Sequence, residues 1–540
     1  MTNKDIHSLP HSSARSSLWL KLLTAMTALG VLPAQTIQAQ SSTAVPRIVV
    51  SILVDQLRSD YMQAFMPLYG NGGLRRLMNE GRIYTQAEYP HASTDRAAAA
   101  ATVFTGAVPS DHGIVAAGWL DRETLQPVSC VDDKTVQGVG SLAPASPVRL
   151  LVTTVGDELK VATQGASIVY SIAPFREMAV LAGGHAADGA YWIDEQAGRW
   201  CSSTYYGALP AWLSYRNGQS RIANQQGQIW QPSNTHVGTF SYYLSQGVRE
   251  PFSHRFEGMR AAREMLTTAL VNDETAAAAE LCIEKSQIGA DETPDFLSLT
   301  LFAGSYLNRP VNDAAMEIQD TYVRLDKAVA GILSAIEKKV GLERALIVLT
   351  STGTSEETAG DLSAYRIPTG TFDTERAVGL LNMYLAAIHG PGKYVLATNG
   401  TQFYFDRKLI EDKALTLSSV LDEAAEFLQQ LSGVKDVFTS ARLIQGAWTP
   451  GISAYRAAYH TERSGDLRIV LSPGWRLKDT TSNQFHREGF VPFPIIFIGA
   501  GTTKSIIATP TSTDHIAPTL CEAIRIRAPN ACGVKPLSLK

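Results

Sequence analysis

The sequence predicts an α/β fold in which a mainly parallel sheet carries helices on both faces, with a small α+β insertion. Two observations carry that prediction. Arg47 to Val54 is a near-continuous apolar run ending in Asp55, the pattern of a strand buried on both faces. Short apolar runs of this kind then alternate with helical patterns down the chain, as crossover-connected parallel strands require. Composition agrees with a globular protein: 540 residues, 45% hydrophobic and 18% charged, with a net charge of -4. So even a balance gives no basic face for nucleic acid or an anionic membrane, and no nucleic-acid partner is expected.

The elements follow in order. Residues 1–39 read as a signal peptide and 40–540 as the main domain. Lys4, Arg15 and Lys21 flank or interrupt the apolar run Leu18–Leu32, and small or polar residues lead to Gln38-Ala39-Gln40. Read as a membrane anchor, that run is short of the ~20 residues a spanning helix needs. The expectation is cleavage near Ala39, a periplasmic or secreted protein, and no membrane span in the mature chain. Gly73 to Gly81 is a short helix stopped by glycine. Ser93-Thr94-Asp95 caps an alanine-rich helix from Arg96 to Phe104. Ser167–Ala173 and Phe296–Ala303 read as strands and Phe256–Val271 as helical. Asp313–Lys338 is the best helix, with Ile318, Tyr322, Leu325, Val329, Ile332 and Ile336 at helical spacing. Ala345–Leu349 is a strand. Residues 370–465 hold the α+β insertion, and Arg468–Leu471 and Pro494–Gly499 are further strands. Five cysteines are present. In an exported chain Cys521 with Cys532 is the nearer pairing, and Cys130 with Cys201 the weaker one.

Asp55 ends the first strand, where ligands gather in open α/β sheets. Several stretches near it and beyond resemble the alkaline phosphatase superfamily. They are Val54–Tyr61, Tyr69–Met78, Thr105–Ile114, Thr154–Lys160, Gly184–Trp192, Asp320–Asp326, Arg463–Asp466 and Asp514–Leu520, in family order from about residue 46 onward. The branch they resemble is the phosphate-irrepressible alkaline phosphatases, near the nucleotide pyrophosphatase/phosphodiesterases. That resemblance implies two zinc ions in a cleft above the sheet and a Thr or Ser nucleophile at a helix N-terminus.

Carried across residue by residue, most of that site is substituted. Asp55 matches the first-strand ligand. The nucleophile position falls on Arg96, and Thr94 serves only with a local insertion. An Asp and a His four apart become Ser305 and Arg309. An adjacent Asp-His becomes Thr352-Gly353. The last His falls on Pro492, or on Phe490 with another gap. A Lys and an Arg that bind phosphate become Phe175 and Glu177, and an Asn becomes Ala117. The expectation is an exported pseudo-hydrolase that binds no metal, with Asp55 the only matching ligand and no cofactor. Its role would be binding, assembly or regulation, toward an envelope protein or an anionic ligand. The alternative is a zinc-dependent phosphomonoesterase or phosphodiesterase using Thr94 and non-standard donors.

Three smaller expectations accompany this reading. Arg96, Arg309 or both neutralise Asp55 where a metal would sit, or together bind an anion. His486 and His515 are the nearest replacements for the lost C-terminal ligand, and Glu356 and Glu357 for the lost pair, though polar loop roles suit all four. His112 and His185 are structural.

Overall fold

Why Ile48–Asp55 is a central strand is plain from its sides. All eight of its residues are buried. Ile48, Val50, Ile52 and Val54 enter one hydrophobic core, while Val49 and Leu53 enter a second core on the opposite face. A strand without a polar face needs cover on both sides. The computed structural model describes residues 45–238, 251–311, 313–356, 366, 368–446, 451–478 and 490–540. The N-terminal segment, Glu357 and His486 lie outside the described residues.

The nine longer strands of the main sheet are β1 Ile48–Asp55, β2 Arg82–Glu88, β3 Val169–Ile172, β4 Gly189–Ile193, β5 Trp200–Ser203, β6 Asp295–Phe302, β7 Ala345–Ser351, β8 Phe493–Gly499 and β9 Ser505–Ile507. Their order is β9-β2-β8-β7-β1-β6-β3-β4-β5; Gly138–Val139 extends the β5 end and Thr511–Ser512 pairs with β2, making 11 strands. The run β7-β1-β6-β3-β4 is parallel. β8 is antiparallel to both neighbours, and β5 to β4. The predicted parallel sheet is therefore its centre, with antiparallel flanks.

Helices cover both faces. On the side of Ile48 lie α1 (Leu74–Glu80), α5 (Leu270–Lys285) and α6 (Ala315–Val340). On the side of Val49 lie α2 (Arg96–Thr105), α3 (Val155–Ala162), α4 (Arg176–Gly183) and α7 (Ile516–Ala523). The start of α2 is set by Asp95, whose carboxylate accepts from Ala97 N at 2.7 Å, and Gly106 ends it at φ 65°. The helix expected over Phe256–Val271 is broken. A short helix, Ala261–Met265, stops where the Thr268 hydroxyl donates to Met265 O at 2.7 Å and accepts from Leu270 N at 3.2 Å, and α5 begins anew.

The insertion is larger than expected. Its four-stranded sheet runs Val395–Asn399, Gln402–Phe405, Leu467–Leu471, Val434–Thr439, and its core reaches from Phe372 to Leu477. Leu467–Leu471 thus belongs to the insertion rather than to the main sheet. Two residues of the Arg463-Ser-Gly-Asp466 stretch fasten it down. Arg463 donates to Gly113 O and to Arg149 O, each at 2.7 Å. Asp466, wholly buried, accepts from Arg122 at 3.0 Å, from Arg407 at 2.5 Å and from Phe405 N at 2.9 Å. Other resembling stretches also have structural work. Asp326 accepts from Gly70 N at 2.8 Å and Leu74 N at 2.7 Å, capping α1 from a distant helix. All five cysteines are free thiols, so neither expected disulfide is formed.

Candidate functional site: a carboxylate closed by its neighbours

Three strand ends meet where Asp55 leaves β1. β6 and β7 flank β1 in parallel register, so the segments after them, Ala303–Arg309 and Thr352–Glu356, rise beside Asp55. The Asp55 side chain is 1% exposed, and both oxygens are engaged. Thr352 Oγ1 donates to Asp55 Oδ1 at 3.0 Å and itself accepts from Gln56 N at 3.0 Å. Arg96 Nη1 donates to Asp55 Oδ2 at 3.2 Å. Burial pushes Asp55 up to about 6, against the pull of Arg96 and of the Thr352 hydrogen bond.

Arg96 is held on every side by residues that sequence positions alone did not pair with it. Its Nε lies 3.1 Å from Glu177 Oε1, and its Nη2 lies 4.0 Å from Glu356 Oε1. The Phe175 ring stacks beneath the guanidinium, 4.1 Å from centroid to Cζ. Burial opposes the Arg96 charge, but Asp55, Glu177, Glu356 and Asp95 together raise its pKa. Among the described residues, four carboxylates surround this one guanidinium, an arrangement that does not favour the expected anion site on Arg96. Arg96 touches both Phe175 and Glu177, and all three fall where the resemblance expects other residues.

The remaining positions go elsewhere. Ser305 Oγ donates to Arg309 O at 2.7 Å, closing the turn after β6, and the Arg309 guanidinium lies over the Tyr306 ring at 5.2 Å. Arg96 therefore neutralises Asp55, and Arg309 makes no ion pair with it. Glu356 accepts from Asn308 Nδ2 at 3.0 Å, and its backbone N donates to Gln56 Oε1 at 2.8 Å. Thr94 precedes the cap of α2 and lines a cleft toward the insertion. Ala117 adds no polar group.

Gly353 decides whether a ligand at its position can return. It sits at φ 67°, and a Cβ there would stand 2.7 Å from Phe493 Cε1 and 3.0 Å from both Phe490 Cδ1 and Tyr89 Cε2. Tyr89 stacks on Phe490 at 5.2 Å. Three aromatic rings thus crowd the space a side chain at 353 would enter. Among the described residues no group of three or more His, Cys, Asp and Glu side chains is arranged to hold a metal ion. The described residues do not fit the zinc pair that the superfamily implies.

His91, His112, His185 and His515 are each bonded to neighbouring protein groups. His91 and His112 point Nε2 at the Thr102 hydroxyl, at 3.0 and 3.2 Å, while each Nδ1 accepts a backbone N–H. Burial lowers His91 to about 3 and His112 well below its ordinary value, so both stay neutral. His185 bridges the Asp157 carboxylate at 3.1 Å and Leu150 O at 3.0 Å. His515 meets Lys535 O at 2.6 Å, holding the C-terminal tail.

A central parallel sheet with helices on both faces, and an aspartate at the carboxyl end of its first strand, is the frame of the alkaline phosphatase superfamily. Within it, the chain belongs to the type I phosphodiesterase / nucleotide pyrophosphatase family, whose model matches residues 49–491. Similar relatives include alkaline phosphatase PafA of Elizabethkingia meningoseptica, 30% identical over 93% of this chain and 96% of its own. Alkaline phosphatase PhoV of Synechococcus elongatus is 29% identical over 90% and 91%. The crystal structure of PafA superposes with a TM-score of 0.80 at 28% identity, covering 92% of this chain and 99% of that one. A PafA variant with substitutions at a Thr, an Asn, a Lys and an Arg superposes at 0.79. Its Thr and Asn are spaced as Arg96 and Ala117 are here, and its Lys and Arg as Phe175 and Glu177.

Proposed function

We propose that this chain is a catalytically degenerate member of its family, exported by its N-terminal segment and kept for binding, assembly or regulation. Arg96 carries the reading. A guanidinium stands at the position assigned to the nucleophile, bonded to the one remaining metal-ligand carboxylate and clamped by Phe175 and Glu177 where phosphate ligands are expected. Phosphoryl transfer depends on positive charge set around the transferred group, and here, among the described residues, four carboxylates surround the one guanidinium. The partner is an envelope protein or a soluble ligand. A second reading, a working zinc phosphomonoesterase or phosphodiesterase, is favoured by the names of PafA and PhoV. One experiment separates the two: zinc per chain after loading and desalting, read beside hydrolysis of a nitrophenyl phosphate monoester and diester. The degenerate reading expects near-zero zinc and no zinc-dependent turnover. One or two retained ions with turnover would establish the second.

A further inference from the structure

We infer that the cleft between the insertion and the approach to α2 is a binding site for a neutral sugar; this rests on the reading above, since it names what a degenerate enzyme would bind. The cleft measures about 210 Å³. That is below the ~300–1,000 Å³ of sites for drug-sized ligands, and leaves room for one ring rather than a chain. Thr94 and Asp95 form one wall, and Asn399, Thr401, Tyr455 and Tyr459 line the insertion side.

Its walls are tied together in advance. Arg468 Nη2 donates to Ala92 O at 3.1 Å, Ala92 N to Ala454 O at 2.8 Å, and Asn399 Nδ2 to Gly118 O at 3.4 Å. Its charge is balanced: among the described residues, Asp95 and Arg468 are the only ionic side chains in the lining. Asp95 is spent on capping α2, and Arg468 lies over the Tyr455 ring at 5.3 Å. A phosphate would meet the Asp95 carboxylate beside the Arg468 guanidinium, and an ammonium group the reverse, so neither charge finds a site of one sign. Hydroxyls do better: those of Thr94 and Thr401 make no hydrogen bond among the described residues, and so are open to exchange with a ligand. Tyr455, packed on Phe438 at 4.3 Å, and Tyr459 add an apolar wall suited to the C–H face of a pyranose.

The test is saturation-transfer NMR on the full purified chain with glucose, galactose, N-acetylglucosamine, maltose, adenosine and inorganic phosphate as probes, followed by titration. Saturable binding of at least one sugar is expected, insensitive to excess phosphate. Thr94→Val and Thr401→Val, checked for unchanged melting temperature, should each weaken it by about fivefold, the worth of one uncharged hydrogen bond. The inference is overturned if no sugar binds saturably, if both variants bind as the parent does, if phosphate displaces the sugar, or if adenosine alone binds. Zinc content and turnover are read separately. An active, zinc-loaded protein that binds sugar defeats the degenerate reading and keeps the cleft; an inactive one that binds none defeats only the cleft.

Discussion

Arg96 joins two contacts in one side chain: it pairs with the buried Asp55 carboxylate and it gathers Glu177 and Glu356 around itself. Removing it leaves Asp55 buried without its cation and Glu177 facing it. Arg96→Ala is expected to destabilise the chain by about 3 kcal/mol, as breaking one side of a buried pair does. Adding Asp55→Asn to that variant should recover part of the loss, measured by urea unfolding in a double-mutant cycle. Equal losses in the single and double variants would show that Asp55 does not depend on Arg96. The opposition of Arg96 to Asp55 was legible in the sequence, because both fall on mapped positions. The stacking of Phe175 and the pairing of Glu177 were not. Those contacts cross from α2 to α4, and no spacing along one chain reports a distance between two helices.

At the scale of elements, the α3 N-terminus and the loop before it are joined through one imidazole. His185 faces the Asp157 carboxylate, which also closes the capping box of Thr154, and its second nitrogen faces a carbonyl. With acceptors on both nitrogens the charged ring is favoured. The Asp157 hydrogen bond raises its pKa above the ordinary 6.5, against burial. The stability it adds is fully present below 6.5 and is lost as pH rises through the raised value. The lead of the parent over His185→Gln in melting temperature should therefore narrow as pH rises above 6.5 and through the raised value; a lead that is constant with pH would show that the ring does not titrate there. Element type was readable wherever a period was strong, as in β1 and α6. It failed at Phe256–Val271, where Thr268 turns its hydroxyl back on the backbone, and at β2, whose mixed polar run Arg82–Glu88 hides a strand between β8 and β9.

Across the whole molecule, the insertion hangs on a carboxylate with no exposure to water. Asp466→Asn should cost about 3 kcal/mol, since Arg122 and Arg407 lose their shared anion. In limited proteolysis the first cuts should then fall between residues 370 and 478, before any in the main sheet. Cuts that begin in the main sheet would mean the insertion does not depend on this anchor. The sequence boundary at 465 fell short for a simple reason. Leu467–Leu471 is as apolar as a main-sheet strand, and only its pairing with Gln402–Phe405 and Val434–Thr439 shows which sheet owns it. The thiols illustrate the converse, since closeness in sequence between Cys521 and Cys532 did not become a bond.

Gly353 also sets a toll on any change at its own position. A histidine there would need a left-handed backbone, about 1–2 kcal/mol uphill for a side-chain-bearing residue, and would collide with the Phe493 ring. A threonine at 96 alone would strand the acids that Arg96 now neutralises. Each of these single substitutions therefore begins with a loss, so the rings and the guanidinium hold one another in place: neither can be exchanged without first disturbing the other's neighbours.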